Sequence, residues 1–267
     1  MSEPGENRQV DAGRIAGHVA GLWRYPASSL GGESLTELAI GTDGAQGDRL
    51  FGLVDAATGE IARPDANSKW HGVPSIATRL AGDGRLEVMT PGGDWLAAPG
   101  EAADRAASIF LGFDASIRPF GSEAAGDGAA GYRAAGGETP FSPRYRKAPI
   151  HLVTTASLAE LKALHPEGNP DPRRFRPNIL IDMQPVAGRF PETEWIGRRI
   201  AIGALELTVT EPCRRCGFTI IAQEGGVDND PGILRTLVKK NAHNLGVYCE
   251  VTRPGTVQVG DAMRFLA

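Results

Sequence analysis

Apolar and polar positions alternate in short runs along this chain. The runs His18–Trp23, Leu38–Ile40 and Arg49–Val54 each read as a strand burying one face. The last runs into a turn-like stretch, Asp55–Glu60. Ile76–Leu80 and Arg85–Met89 flank Ala81-Gly82-Asp83-Gly84, whose Asp-Gly pair predicts a hairpin. The first 100 residues therefore read as all-β. An alanine-rich helix is predicted over Glu101–Leu111, stopped by Gly112 beyond its C-cap. Residues 121–148 lack periodicity and read as a long loop. β-like runs resume at Ile150–Val153, Asn178–Ile181, Arg199–Ile202, Glu206–Val209 and Val247–Val251. Two helices interrupt them. Ser157-Leu158-Ala159-Glu160 fits a capping box opening one. Asp230-Pro231 opens the other, with Ile233, Leu234, Leu237 and Val238 on one face. The expected fold is mostly β (α+β): an N-terminal β-barrel-like domain over 14–100, a helix-and-loop linker over 101–148, and a second barrel with a few helices over 149–267.

Composition narrows the function classes. Of 267 residues, 41% are hydrophobic and 22% charged, so disorder and a fibrous fold are excluded. A net charge of -4 gives no general pull on nucleic acid or anionic lipid. Gly 35 and Pro 19 fit a chain of short strands and many turns. Cys 3 is odd and too few for a disulfide scaffold, which favours a reducing compartment. The first residues carry no signal-peptide pattern, and no apolar run nears the roughly 20 residues that span a bilayer. The expectation is a cytoplasmic protein with neither nucleic acid nor membrane as a partner.

The strongest chemical signal is Glu211-Pro212-Cys213-Arg214-Arg215-Cys216, after a strand. Two thiols three apart can share a metal or form a redox pair, and adjacent arginines favour thiolates. A thioredoxin-like role needs the pair at a helix start in a βαβ unit, and here β runs stand on both sides. Structural zinc would need Cys249 and His243 as well, without the usual close second pair. The plain alternative is that two of the three cysteines are small core residues. His18 and His151 lie in strand-like runs and read as structural, outside any triad signature.

Several segments together resemble the MOSC (molybdenum cofactor sulfurase C-terminal) family. They are Pro212 to Cys216, Leu234 to Leu237, Leu245-Gly246-Val247-Tyr248 and Pro254 to Asp261, with Arg174 to Ile179 and His151 to Leu158 upstream. Trp23, Tyr25-Pro26 and Gly47-Asp48-Arg49 are similar to the N-terminal β-barrel domain that accompanies it, as in the amidoxime-reducing component family. The resemblance implies a molybdenum cofactor (molybdenum–molybdopterin) with Cys216 as metal ligand and catalytic centre, its thiolate helped by Arg215. A soft thiolate suits such a centre. Arg176, Asn178, Arg49 and Ser29 are then cofactor contacts, as are Thr154, Thr155 and Ser157 near a helix start that favours anions. Relatives typically read Tyr-Pro-x-Lys-Ser where this chain has Tyr25-Pro26-Ala27-Ser28-Ser29. Ser28 thus replaces an expected cation, which Arg24, Arg144 or Arg146 could restore. The implied activity is reduction of N-hydroxylated small molecules. Electrons would come from a separate donor protein of flavoprotein, ferredoxin or cytochrome b5 type, since no dinucleotide fingerprint follows a strand. The alternative is a non-catalytic carrier of cofactor or sulfur.

Overall fold

A computed structural model describes residues 13–120, 149–185 and 187–267. The N-terminal tail and the predicted 121–148 loop lie outside these residues. In chain order the first strands are β1 (Ile15–Arg24), β2 (Glu33–Leu35), β3 (Glu37–Gly41), β4 (Gly44–Ala45) and β5 (Phe51–Asp55). Next come β6 (Ala77–Leu80), β7 (Leu86–Met89), β8 (Leu96–Ala98), helix α1 (Glu101–Leu111) and β9 (Ala115–Pro119). The later half holds β10 (Ile150–Thr154), α2 (Thr155–Leu164), β11 (Ile179–Asp182), β12 (Arg199–Ile202) and β13 (Leu205–Arg214). Helix α3 (Pro231–Lys240), β14 (Asn244–Arg253), β15 (Gly255–Gln258) and β16 (Ala262–Phe265) complete it.

Seven strands close a barrel in the order β11-β10-β14-β13-β12-β16-β1, with β1 pairing back to β11. Closure removes the exposed edges that an open sheet would leave. Its interior is lined by Val19, Leu22, Leu152, Ile179, Ile181, Ile200, Leu207, Val209, Val247 and Met263, among others. The first strand of the chain is thus a stave of the later barrel. Val19 and Leu22 sit opposite Ile181 and Ile179, so their apolar face completes the barrel core.

A second core gathers Leu30, Leu53, Trp70, Val73, Ile76, Leu86 and Val88 with Ala103, Ala107 and Ile117. Helix α1 and strand β9, which the sequence placed in a linker, therefore pack into the N-terminal unit. The small faces of Ala103 and Ala107 permit that close approach. Gly112, at φ 80, stops α1 as its sequence predicts. The hairpin of β6 and β7 forms where Asp83-Gly84 foretold it. A third cluster, including Leu158, Leu161, Phe175, Ile233, Leu237 and Leu245, seats α2 and α3 against the barrel.

Three local expectations need correction. Helix α2 is capped by Thr154, whose hydroxyl accepts from Ser157 N–H (3.1 Å), because β10 runs straight into the helix. Ser157 is therefore inside the first turn. On α3 the buried stripe is Ile233 and Leu237, while Val238 is 41% exposed. Arg49 is not the start of a strand. It holds a left-handed backbone at φ 53, ahead of β5.

Candidate functional site

Register shifts between Val209 and Glu211 and between Pro212 and Arg214 bend the end of β13. Bulges of this kind re-aim side chains beside active sites. The bend delivers Cys213 inward and Cys216 to the surface. Arg215 lies between them and turns toward Cys213. Its Nη1 donates to Cys213 Sγ (2.7 Å) and its Nη2 to Phe175 O (2.9 Å). Burial raises the Cys213 thiol, but the charges of Arg215 and His151 outweigh it and bring the thiol down to about 6. His151 faces the carbonyls of Arg176 (3.3 Å at Nδ1) and Leu245 (3.4 Å at Nε2). Gly246, at φ 79, is required beside it, since a Cβ there would meet His151 Nε2 at 2.4 Å.

Cys216 has a different environment. It is the N-cap of a 3₁₀ turn, Gly217–Ile220, and the Phe218 N–H faces its sulfur. Loss of solvent around that sulfur raises the thiol, with Asp65 adding to the rise and Arg215 opposing it. Arg215 was expected to keep Cys216 deprotonated. The structure gives the hydrogen bond to Cys213, and at Cys216 the charge of Arg215 only opposes a rise that burial wins. The turn after Cys216 is pinned by Arg174, a wholly buried arginine that donates to Asn169 O (2.8 Å), Thr219 O (3.2 Å) and Asp228 O (2.6 Å).

From Cys216 a chain of ring and guanidinium contacts leads to Tyr25. The Arg176 guanidinium lies 5.2 Å from the Phe218 ring centroid and 4.1 Å from that of Tyr25. Arg49 lies 5.5 Å from the same Tyr25 ring. Arg176 also clamps the loop after Tyr25 by donating to the carbonyls of Leu30 and Ala27. Asp48 organises the other side, accepting from Tyr25 N–H (2.7 Å), from Asn178 Nδ2 (3.3 Å) and from Arg49. Ser29, Arg49 and Arg176 all hold positive φ, at 67, 53 and 53. Left-handed backbone at non-glycine residues is unfavourable by roughly 1–2 kcal/mol each and clusters at ligand sites.

The structure thus brings together Cys216, Arg215, Arg176, Arg49 and the Ser29 loop. Four expected contacts fall elsewhere. Thr154 and Ser157 are wholly buried, and both hydroxyls donate to the Glu192 carboxylate. The Glu192 side chain thus stands at the start of α2 and engages both hydroxyls. Thr155 donates to Asp182 Oδ1 (2.9 Å). Asn178 is a buried bracket: its Oδ1 accepts from His151 N–H (3.1 Å) while its amide holds Asp48. Arg24, which could restore the cation expected near Ser28, is engaged by Glu33 (2.8 Å). Arg144 and Arg146 lie outside the described residues. Cys249 is sealed in the barrel core, and no group of three or more His, Cys, Asp or Glu among the described residues is placed for a metal. The four-ligand zinc arrangement therefore does not form there.

Residues 126–264 match the family model of the MOSC domain, and residues 16–130 match that of the MOSC N-terminal beta barrel domain. The chain belongs to the MOSC-domain family. It is 31% identical over 122 residues to mitochondrial amidoxime-reducing component 1 of Danio rerio, covering 43% of this chain and 36% of that protein. The Mus musculus protein of the same name is 28% identical over 130 residues, covering 44% and 36%. The match thus spans about a third of the length of these curated relatives. A crystal structure of the YUAD protein from Bacillus subtilis aligns over 93% of this chain and 94% of that one, with 15% identity and a TM-score of 0.47.

In this MOSC protein, four residues matter beyond those the sequence singled out by role: Tyr25, Asp48, Phe218 and Arg174. Tyr25 and Asp48 stood inside quoted motifs, without a task. Arg174 likewise stood in a quoted motif without a task, and Phe218 stood in none, because stacking and carbonyl capture are long-range contacts. No helix among the described residues is long and apolar enough to cross a membrane.

Proposed function

We propose that this chain binds a molybdenum cofactor of the molybdopterin type and reduces N-hydroxylated small molecules by N–O cleavage, with electrons from a separate redox protein. The observation that carries the reading is the alignment of one exposed thiol, Cys216, with a rim of arginines, Arg49, Arg176 and Arg215, around Tyr25. Family membership and the amidoxime-reducing name of the two curated relatives point to the same chemistry.

The residues fit such a group. A soft thiolate sulfur suits molybdenum better than a hard cation. Two buried donors, Tyr25 Oη and Arg215 Nε, lack an acceptor among the described residues. Cys216 would hold the metal, Arg49 and Arg176 the anionic part, and the Ser29 loop its flank. When bound, the group supplies two-electron reduction at an N–O bond. The chain's own work is to neutralise the cofactor's charge, to fix Cys216 through the Arg174-pinned turn, and to keep Arg215 in place through Cys213. Thr154, Thr155, Ser157 and Asn178 take no part in this reading.

The test is metal and pterin analysis of protein from a molybdenum-replete host, followed by benzamidoxime reduction with a chemical reductant. Molybdenum, pterin and turnover are expected together. Molybdenum and pterin without turnover would make the protein a carrier, and zinc in place of molybdenum would remove the reading altogether.

A further inference from the structure

Of three buried donors without a partner among the described residues, Tyr25 Oη, Arg215 Nε and Gln223 Nε2, the first two belong to this site. Tyr25 is 2% exposed, yet its hydroxyl has no hydrogen-bond partner among the described residues, and neither has Arg215 Nε. Burial lifts the phenol far above its ordinary 10.0, so at neutral pH it is a protonated donor, although Arg176, Arg49 and Arg215 pull the other way. A guanidinium has donors only. Both groups therefore call for an acceptor, and a buried donor left without one is unfavourable. The nearby acceptors are already engaged. Asp48 takes Tyr25 N–H, Arg49 and Asn178. The carbonyls of Ala27 and Leu30 take Arg176, while Cys213 and the Phe175 carbonyl take the rest of Arg215. With three arginines acting on this one phenol, an acceptor carrying negative charge is favoured over a neutral one.

We propose that the Tyr25 hydroxyl holds an anionic oxygen of the bound ligand, which makes Tyr25 a binding residue of this site, with Arg215 Nε a second donor open to the same ligand. The ligand class is an oxyanion such as a phosphate ester. The inference rests on the location of the proposed site, but not on the presence of molybdenum. It also gives the Tyr25 ring two separate tasks: its face supports Arg176, and its hydroxyl meets the ligand.

Tyr25→Phe separates them, because the ring and its stacking remain. In ligand-free protein the variant is expected to melt at the wild-type temperature or above it, since an unpaired buried hydroxyl is removed. Inorganic phosphate should raise the wild-type melting temperature, and the concentration needed should rise at least about tenfold in the variant. Molybdenum lost along with the hydroxyl assigns the oxygen to the cofactor. Molybdenum kept, with the phosphate response lost, assigns it to the substrate. A fall of several degrees in the ligand-free variant would show that the hydroxyl already has a protein partner and would overturn the proposal. So would a phosphate response that is equal in both proteins or absent from wild type. A Tyr25-dependent phosphate response in a wild type without molybdenum keeps this inference and removes the cofactor reading. Equal molybdenum and equal phosphate response in both proteins do the reverse.

Discussion

Lowering the pH from 9 to 6 should destabilise this protein more than its Cys213→Ser variant. Cys213 is 1% exposed, and its thiol falls from an ordinary 9.0 to about 6 because Arg215 and His151 outweigh the effect of burial. That fall corresponds to a folded-state preference for thiolate of about 4 kcal/mol. The folded value lies below the unfolded one, so the stabilisation is complete above pH 9 and disappears as the pH drops through about 6. Between those limits the unfolded chain binds one more proton at this site. Stability should therefore rise by roughly 1.4 kcal/mol per pH unit from this group alone. Serine removes the titration and leaves Arg215 without its sulfur partner. The two proteins should then lie close together near pH 6 and diverge by several kcal/mol toward pH 9. Denaturant unfolding of both, followed by tryptophan fluorescence under reducing conditions, measures the difference, and groups common to both cancel in it. Parallel stability curves across this range would refute the thiolate–guanidinium pair.

Cys216 should be alkylated by iodoacetamide in the ligand-free protein, increasingly at alkaline pH because its thiol is raised, while Cys213 and Cys249 stay protected; mass mapping showing Cys213 labelled first would reverse the assignment. Glu192→Ala should destabilise the fold by about 3 kcal/mol in denaturant unfolding, at roughly 1 kcal/mol for each donor stranded on Thr154, Ser157 and Gly246. An unchanged midpoint would mean that the carboxylate does not hold the start of α2. Ser28→Lys should raise the molybdenum content that survives prolonged dialysis, because a charge-assisted contact is worth about 1.5–3 kcal/mol and Arg24 is committed to Glu33. Unchanged content would place Ser28 away from the ligand.

The barrel strands were legible because period-two alternation survives in β1, β12 and β13. What alternation could not convey was partner choice. Nothing in Ile15–Arg24 distinguishes a strand of the first unit from a stave of the second. That is decided by the match of Val19 and Leu22 to Ile181 and Ile179. In the candidate site, Cys216, Arg49 and Arg176 were readable as candidates from motif order. Their strained backbones were not, since positive φ at arginine follows from tertiary contacts rather than propensity. Thr154 and Ser157 misled for a related reason. A helix start attracts anions, but here both hydroxyls are taken by the side chain of Glu192, which is remote in sequence and buried by the fold. Arg215 misled too. Adjacency to Cys216 suggested a partner that three-dimensional packing assigned to Cys213.

The central claim is that Cys216 binds molybdenum in a cofactor held by the arginine rim. The most direct measurement is molybdenum and pterin content, per chain, of wild type and Cys216→Ser purified from the same molybdenum-replete host. Near-stoichiometric molybdenum with pterin is predicted for wild type. Loss of the metal is predicted for the variant, with its melting temperature unchanged. Wild type carrying zinc instead, or a folded Cys216→Ser variant retaining full molybdenum, would contradict the account.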